Sequence, residues 1–426
     1  MKLSRRLGPA SLFTAAALLA ACSSSAPPSA NESGGGAITS TDGSPFEFRF
    51  DSEVLSAKET PVKNAAIAQL EYLQGILTTG EGGNAQFRFV DVTKSEAHEE
   101  GDKTRWTYSA SVAVILPAGA TVPETYDLAF PLDVTTLSAF ADTYDGKCGK
   151  NAYGRETFWH DFNPKMKDCV LGDDVHKTQA SVRKHPLATT DKYPEYDQIW
   201  ADDSLDIVAV YGAISSTSDT DTGAKEREAF LAKVQGKLTD ATRKEETDHA
   251  GIEKESIVEG SIEVGGKTRK VRMTAFFVSE AKSAGEVFET RFGAASENAD
   301  FVLYSGHSGL GKNIAAIAKA SHAKKGKYQI AFFNGCQTFG YLGPKMHQER
   351  IDLNGKEEDP NGTKFLDVIV TVLPAYSEST PTEQLMFDAM LEQTKGYEDL
   401  LKLFSGKQFI KHLTTVFGED DNTFKP

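Results

Sequence analysis

Between residues 204 and 373 the chain repeats one pattern: an apolar run, a helical stretch with one apolar face, then another apolar run. The runs are Leu205 to Ile214, Val271 to Val278, Phe301 to Gly306, Tyr328 to Phe333 and Phe365 to Leu373. They are nearly continuous in hydrophobic residues rather than alternating, as a strand covered on both faces requires. Lys225 to Leu238 (Phe230, Leu231, Val234 and Leu238 on one side), Glu286 to Phe292 and Asn313 to Ala320 read as helices between them. Ser261 to Met273 reads as a hairpin turning at Gly265-Gly266. Thr380-Pro-Thr-Glu383 reads as a capping box opening a further helix. Together these predict an α/β domain over residues 204–426 with a mostly parallel, doubly wound sheet. Such sheets form their sites in the crevice beyond the carboxyl ends of the strands.

The preceding 200 residues follow another pattern. Phe46 to Phe50, Gln86 to Val92, Trp106 to Leu116 and Tyr126 to Leu132 read as strands, and Glu100-Gly-Asp102 as a turn. Thr60-Pro61 opens a helix carrying Ile67, Leu70, Leu73 and Leu77 on one face. Residues 46–140 are thus expected to form a smaller α+β domain with an antiparallel sheet. Residues 141–203 read as an irregular connection stapled by a Cys148–Cys169 disulfide, which would stabilise by about 3 kcal/mol in the chain-entropy model. His160-Asp161 within it reads as structural, since no third metal ligand stands at useful spacing.

The first 21 residues read as a targeting segment: Lys2, Arg5 and Arg6 precede the short apolar stretch Leu12 to Leu19. Leu19-Ala-Ala-Cys22 resembles the bacterial lipobox, which implies acylation of Cys22 and a lipid anchor in the membrane. Ser23 after it favours the outer membrane of the cell envelope over the inner. Residues 22–45, rich in Ser, Gly, Pro and Ala, read as a flexible tether. An exported chain suits a disulfide. It also leaves Cys336, fourth of four cysteines, without a partner. A net charge of −15 disfavours nucleic acid as partner. The acidic runs Asp219-Thr-Asp221 and Glu419-Asp-Asp421 are expected to be solvated faces. No metal or cofactor is expected.

Tyr304 to Asn313, YSGHSGLGKN, superposes three chemistries. Gly306 to Lys312 has P-loop spacing, but Asn313 stands where Mg²⁺ needs Ser or Thr. Ser308 begins a nucleophile elbow, with Leu310 where glycine belongs and His347 or His412 as the available histidine. The third ends an apolar run in His307. The next run in sequence ends in Asn334-Gly-Cys336, 336 − 307 = 29 residues on, about one strand-helix-strand unit. On neighbouring strands, His307 and Cys336 would share one edge of the sheet, where an imidazole can take a thiol proton. Backbone N–H groups of Ser308, Gly309 and Cys336 would then form an oxyanion hole.

An apolar strand ending Ser-Gly-His307, followed by an apolar strand ending in small residues and Cys336, resembles the caspase–gingipain–clostripain superfamily of cysteine peptidases. The NGCQT segment is also similar to bacterial CHAT domains of that superfamily. The resemblance covers about residues 204–400. It implies a caspase-like parallel α/β sheet and cleavage of a peptide or protein substrate without a metal, with Cys336 as nucleophile and His307 as general base and acid. Ser308 departs from the glycine that usually follows the histidine. Two other readings stand beside it: a catalytically inactive caspase-fold lipoprotein acting as a binding or scaffold module, and a serine hydrolase using Ser308.

Overall fold

The computed structural model describes residues 38–87, 90–246, 249–375, 381–405 and 413–426. The targeting segment, Cys22, most of the tether, Thr380 and His412 lie outside the described residues. In chain order the elements are β1 (Ile38–Ser40), β2 (Gly43–Ala57), α1 (Val62–Leu70), α2 (Tyr72–Glu81), β3 (Asn84–Ala85), β4 (Asp91–Glu100), β5 (Lys103–Pro117), β6 (Thr125–Pro131), α3 (Leu137–Tyr144), β7 (Val175–Lys184), α4 (Tyr196–Ile199) and β8 (Ser204–Gly212). The chain continues with α5 (Thr222–Gln235), β9 (Thr239–Glu246), β10 (Lys254–Val264), β11 (Lys267–Val278), α6 (Gly285–Ser296), β12 (Phe301–Ser305), α7 (Lys312–Ala320) and β13 (Gln329–Asn334). It closes with α8 (Thr338–Tyr341), α9 (Lys345–Asn354), β14 (Leu366–Thr371), α10 (Thr382–Glu392), α11 (Tyr397–Ser405) and β15 (Thr414–Phe417).

Two sheets result. The larger has nine strands in the order β1-β15-β14-β13-β12-β8-β11-β10-β9. Its centre, β14-β13-β12-β8-β11, is parallel. The two strands added on each side run antiparallel, so four of the eight pairings are parallel. The sheet is therefore mixed, where the apolar runs predict a mostly parallel one. The runs report strands buried on both faces, and those are the central five. The smaller sheet, in the order β3-β5-β2-β7-β6 with β4 also on β5, is antiparallel as expected.

Alternation along the central strands sorts their side chains into two cores. Leu205, Ile207, Ala209 and Tyr211 of β8, with Phe301 and Leu303 of β12, pack against Phe230 of α5, Phe387 of α10 and Leu401 of α11. Val208, Val210, Val302 and Tyr304 face the other way, towards Phe288 of α6 and Ile314 of α7. That second core runs on into the small sheet and joins Phe48, Leu73 and Val114 to it. The two sheets are thus bound by shared apolar burial, at roughly 25 cal/mol per Å² removed from water.

Several boundaries differ from the expected ones. The single helix after Pro61 is two, broken at Glu71. The strand expected over 86–92 is replaced by β3 and by β4, which begins at Asp91; Arg88 and Phe89 lie outside the described residues. Ile38–Ser40, read as tether, pairs with β15, and β2 opens at Gly43 rather than near 46. β7, from the expected connection, completes the small sheet. The β10–β11 turn is as expected: Gly265 and Gly266 both have positive φ, 61° and 74°, the tight turn whose twist suits a hairpin. The Cys148–Cys169 disulfide is formed, with Cα atoms 4.7 Å apart, and Cys336 is free. The helix at 382 starts after Pro381, with no side-chain cap. Among the described residues no helix is long and apolar enough to cross a membrane.

The acidic runs are not solvated faces throughout. Asp219 is exposed and pairs with Lys254, but Asp221 is buried. Glu419 is fully buried, and its Oε1 accepts from Thr39 (2.7 Å) and Thr189 (2.6 Å), tying the C-terminal segment to β1 and to the chain after β7. Burial pushes its carboxyl up to about 8, against the lowering effect of the two hydroxyls. A folded-state pKa above the unfolded one stabilises fully at low pH and loses that contribution as pH rises through about 8. Glu419→Gln keeps the Oε1 acceptor and removes the ionisation. Its Tm relative to wild type should therefore climb between pH 5 and pH 9, by about 2–4 °C for each kcal/mol relieved. A constant difference across that range in thermal melts would contradict the assignment.

Candidate active site

The sheet register brings the two loops together. Ser305, last residue of β12, stands opposite Asn334, last residue of β13. The strand pairing continues one step further, Gly306 N–H donating to Asn334 O at 3.1 Å. Beyond it the loops touch. A Cβ at Gly335 would lie 2.9 Å from Gly306 O and 3.6 Å from Ser308 N, so no side chain fits between Cys336's loop and His307's. His307 and Cys336 thus leave neighbouring strands at the carboxyl edge, as the spacing predicts.

His307 is exposed and its backbone is held firmly. Its carbonyl accepts from Tyr304 Oη (2.6 Å) and Asn313 Nδ2 (2.8 Å). Asn313 is buried, and its Oδ1 accepts Lys282 N–H, so this residue serves as a loop brace. The ring Nε2 lies 3.0 Å from Ile214 O, in the loop after β8. A carbonyl can only accept, so Nε2 carries the proton in this contact, and Nδ1 is the nitrogen left to serve as base. Ile214 is itself fixed by Asp221. That carboxylate takes backbone N–H groups of Ile214 (3.0 Å) and Gly223 (2.9 Å) on one oxygen, and of Ser215 (2.8 Å) and Ser216 (3.0 Å) on the other. Burial raises its pKa, but the four donors outweigh that and hold it below the usual carboxylate range.

Cys336 is half-buried, and its sulfur faces Ala375 O at 3.8 Å, in the loop after β14. Burial pushes the thiol up, so it is protonated as it stands. No hydrogen bond joins it to His307. The sulfur leans towards the β14 side and the imidazole towards the β8 side. The loops are brought together; the two reactive groups are held by separate carbonyls. Among the described residues, the N–H groups of Ser308, Gly309 and Cys336 donate to no acceptor.

The serine alternative gains nothing from this geometry. Ser308 is only 5% exposed. His347 is buried in α9, stacked on Phe417 with ring centroids 5.6 Å apart; burial first, then Arg350, lowers its pKa to about 4. Among the described residues no three His, Cys, Asp or Glu side chains gather to hold a metal ion.

Sequence reasoning missed the other side of the Cys336 loop. Gln337, immediately after the cysteine, is buried and bonds across to Thr78 of α2 and to His160 of the 3-10 turn Arg155–His160. His160 is 177 residues away in sequence, and no spacing signals the meeting. No protein-family model matches the chain, and no curated protein matches its sequence.

Asp221 holds the carbonyl that holds His307. Asp221→Ala strips an N-cap and three further acceptor contacts, and should cost about 2 kcal/mol of stability. It should also free the imidazole, so the NMR signals of His307 should shift and broaden. An unchanged His307 spectrum would show that Asp221 does not set the ring's position.

Proposed function

We propose that the protein is a membrane-anchored cysteine endopeptidase with a caspase-like catalytic domain, related in mechanism to the superfamily it resembles. One observation carries the reading. Two consecutive parallel strands, paired through Ser305 and Asn334, deliver an imidazole and a free thiol to touching loops at the carboxyl edge. Among the described residues, the N–H groups of Ser308, Gly309 and Cys336, in the same two loops, donate to no acceptor.

The chemistry follows from those groups. His307 Nδ1 takes the Cys336 proton, and the sulfur attacks the scissile carbonyl carbon, forming a C–S bond. The carbonyl oxygen becomes an anion stabilised by N–H groups of Ser308, Gly309 and Cys336. Collapse breaks the C–N bond, and the imidazolium gives its proton to the departing amine. Water, deprotonated by the same imidazole, then attacks the thioester. The C–S bond breaks, and the thiolate recovers its proton. For the first step the sulfur must leave Ala375 O and come within reach of His307 Nδ1, a rearrangement that substrate entry would drive.

The scaffold reading has its own observation in favour: the sulfur and imidazole bind different carbonyls, and burial keeps the thiol protonated. A library of electrophilic peptide probes decides between them. The proposal expects labelling of Cys336 on a chain whose mature N-terminus is lipidated Cys22. Labelling should fall about 10²-fold or more in His307→Ala. Cys336→Ala should abolish peptide cleavage, while Ser308→Ala should leave most of it because the backbone N–H remains. Labelling that ignores His307 favours the scaffold, and a dead Ser308→Ala variant favours the serine hydrolase.

A further inference from the structure

Gln337 has a left-handed backbone, φ 56° and ψ 34°, directly after the cysteine. Glycine or asparagine adopts that conformation readily; glutamine does so under strain. A strained residue persists where its surroundings over-determine it, and here they do. The side chain is 3% exposed. Its Nε2 lies 3.2 Å from Thr78 Oγ1, and its Oε1 lies 3.1 Å from His160 Nε2 and 3.3 Å from Tyr341 Oη. Two of these three partners come from the part of the chain before β8.

The contacts form a directed relay. Gln74 Nε2 donates to Tyr341 Oη (3.2 Å), and the tyrosine hydroxyl donates to Gln337 Oε1. His160 Nε2 donates to the same oxygen, and its Nδ1 faces Asp161 Oδ1 at 3.0 Å. Both ring nitrogens meet acceptors, so His160 satisfies both as the imidazolium. Its net pKa shift is upward: burial lowers it, and the bonds to Asp161 and Gln337 outweigh burial. The rings of Tyr153 and Trp159 meet it edge-on, each 5.8 Å away between centroids. The same region also walls the loops: Asn84 Nδ2 donates to Val372 O at 3.2 Å, and a Cβ on Gly340 would stand 2.7 Å from Gln74 Oε1.

We infer that His160 and Gln337 are positioning residues, a latch through which the N-terminal region sets the conformation of the Cys336 loop. The nucleophile's role rests on the peptidase reading above; the latch itself does not. His160→Ala removes one of the two donors to Gln337 Oε1, leaving Tyr341, and so loosens the hold on the strained backbone and on the adjoining Cys336 peptide.

The test uses the full chain and two reagents. Iodoacetamide reads sulfur exposure and needs no peptidase geometry; an electrophilic peptide probe needs the assembled site. In His160→Ala, alkylation of Cys336 by iodoacetamide should rise and probe labelling should fall, each by about tenfold. His160→Gln, which keeps a neutral donor in reach of Gln337, should restore both rates substantially. In a Gln337→Gly background, where the strain and the latch are both gone, His160→Ala should change neither rate further. This arm holds even if one single variant folds poorly. Rates equal to wild type in His160→Ala, or an undiminished effect of His160→Ala in the Gln337→Gly background, would overturn the latch. If iodoacetamide rates follow this pattern while no peptide probe reacts with wild type, the latch stands and the peptidase reading falls. If His307→Ala cuts labelling and His160→Ala changes neither rate, the reverse holds.

Discussion

The parallel pairing of β12 with β13 is the constraint on which the candidate site depends. Phe301 and Leu303 are buried on one face of the sheet, Val302 and Tyr304 on the other, and Ile330 to Phe333 repeat the arrangement beside them. Slipping either strand by one residue would exchange every side chain between the two cores. With that register locked, the chain must leave the sheet at Ser305 and Asn334 together, and the glycines that follow let the loops close on each other. The stability of the apolar sheet is what positions the chemistry; the polar residues only refine it.

That refinement draws on three neighbours. The β8 loop, gathered around the Asp221 carboxylate, supplies the carbonyl for His307. The β14 loop supplies the carbonyl faced by the Cys336 sulfur. The N-terminal region grips Gln337 from behind through Thr78 and His160. Because the small sheet and the large one share a core, this last contact is not a loose apposition of two bodies. His307 Nε2 and the Cys336 sulfur each rest on a separate backbone carbonyl, and under the proposed peptidase reading a substrate would have to displace the sulfur from its weak contact with Ala375 O.

What the sequence makes legible follows from burial. Central strands advertise themselves as apolar runs, and the amphipathic helices between them imply the βαβ order; from those two facts the adjacency of the His307 and Cys336 loops could be derived. Edge strands do not advertise themselves. β4 and β9 are charged and largely exposed; β7, though interior to the small sheet, alternates only weakly, so pairing rather than pattern defines all three. β1 and β15 lie about 375–380 residues apart and meet only through the finished fold, Ile38 opposite Phe417. Asp221 and Glu419 look like members of solvated acidic runs because composition is silent on which carboxylate turns inward. The His160–Gln337 contact is equally silent, since neither residue's sequence surroundings change when the other is absent.

The most direct test of the account is a crystal structure of the full chain with a peptidyl electrophile bonded to the Cys336 sulfur. The account predicts that the oxygen derived from the probe carbonyl lies within about 3.1 Å of N–H groups of Ser308, Gly309 or Cys336. His307 should present Nδ1 to the sulfur, with Gln337 still left-handed on His160. An adduct whose oxygen points away from those N–H groups, with His307 Nδ1 out of reach of the sulfur, would contradict a Cys336–His307 catalytic site.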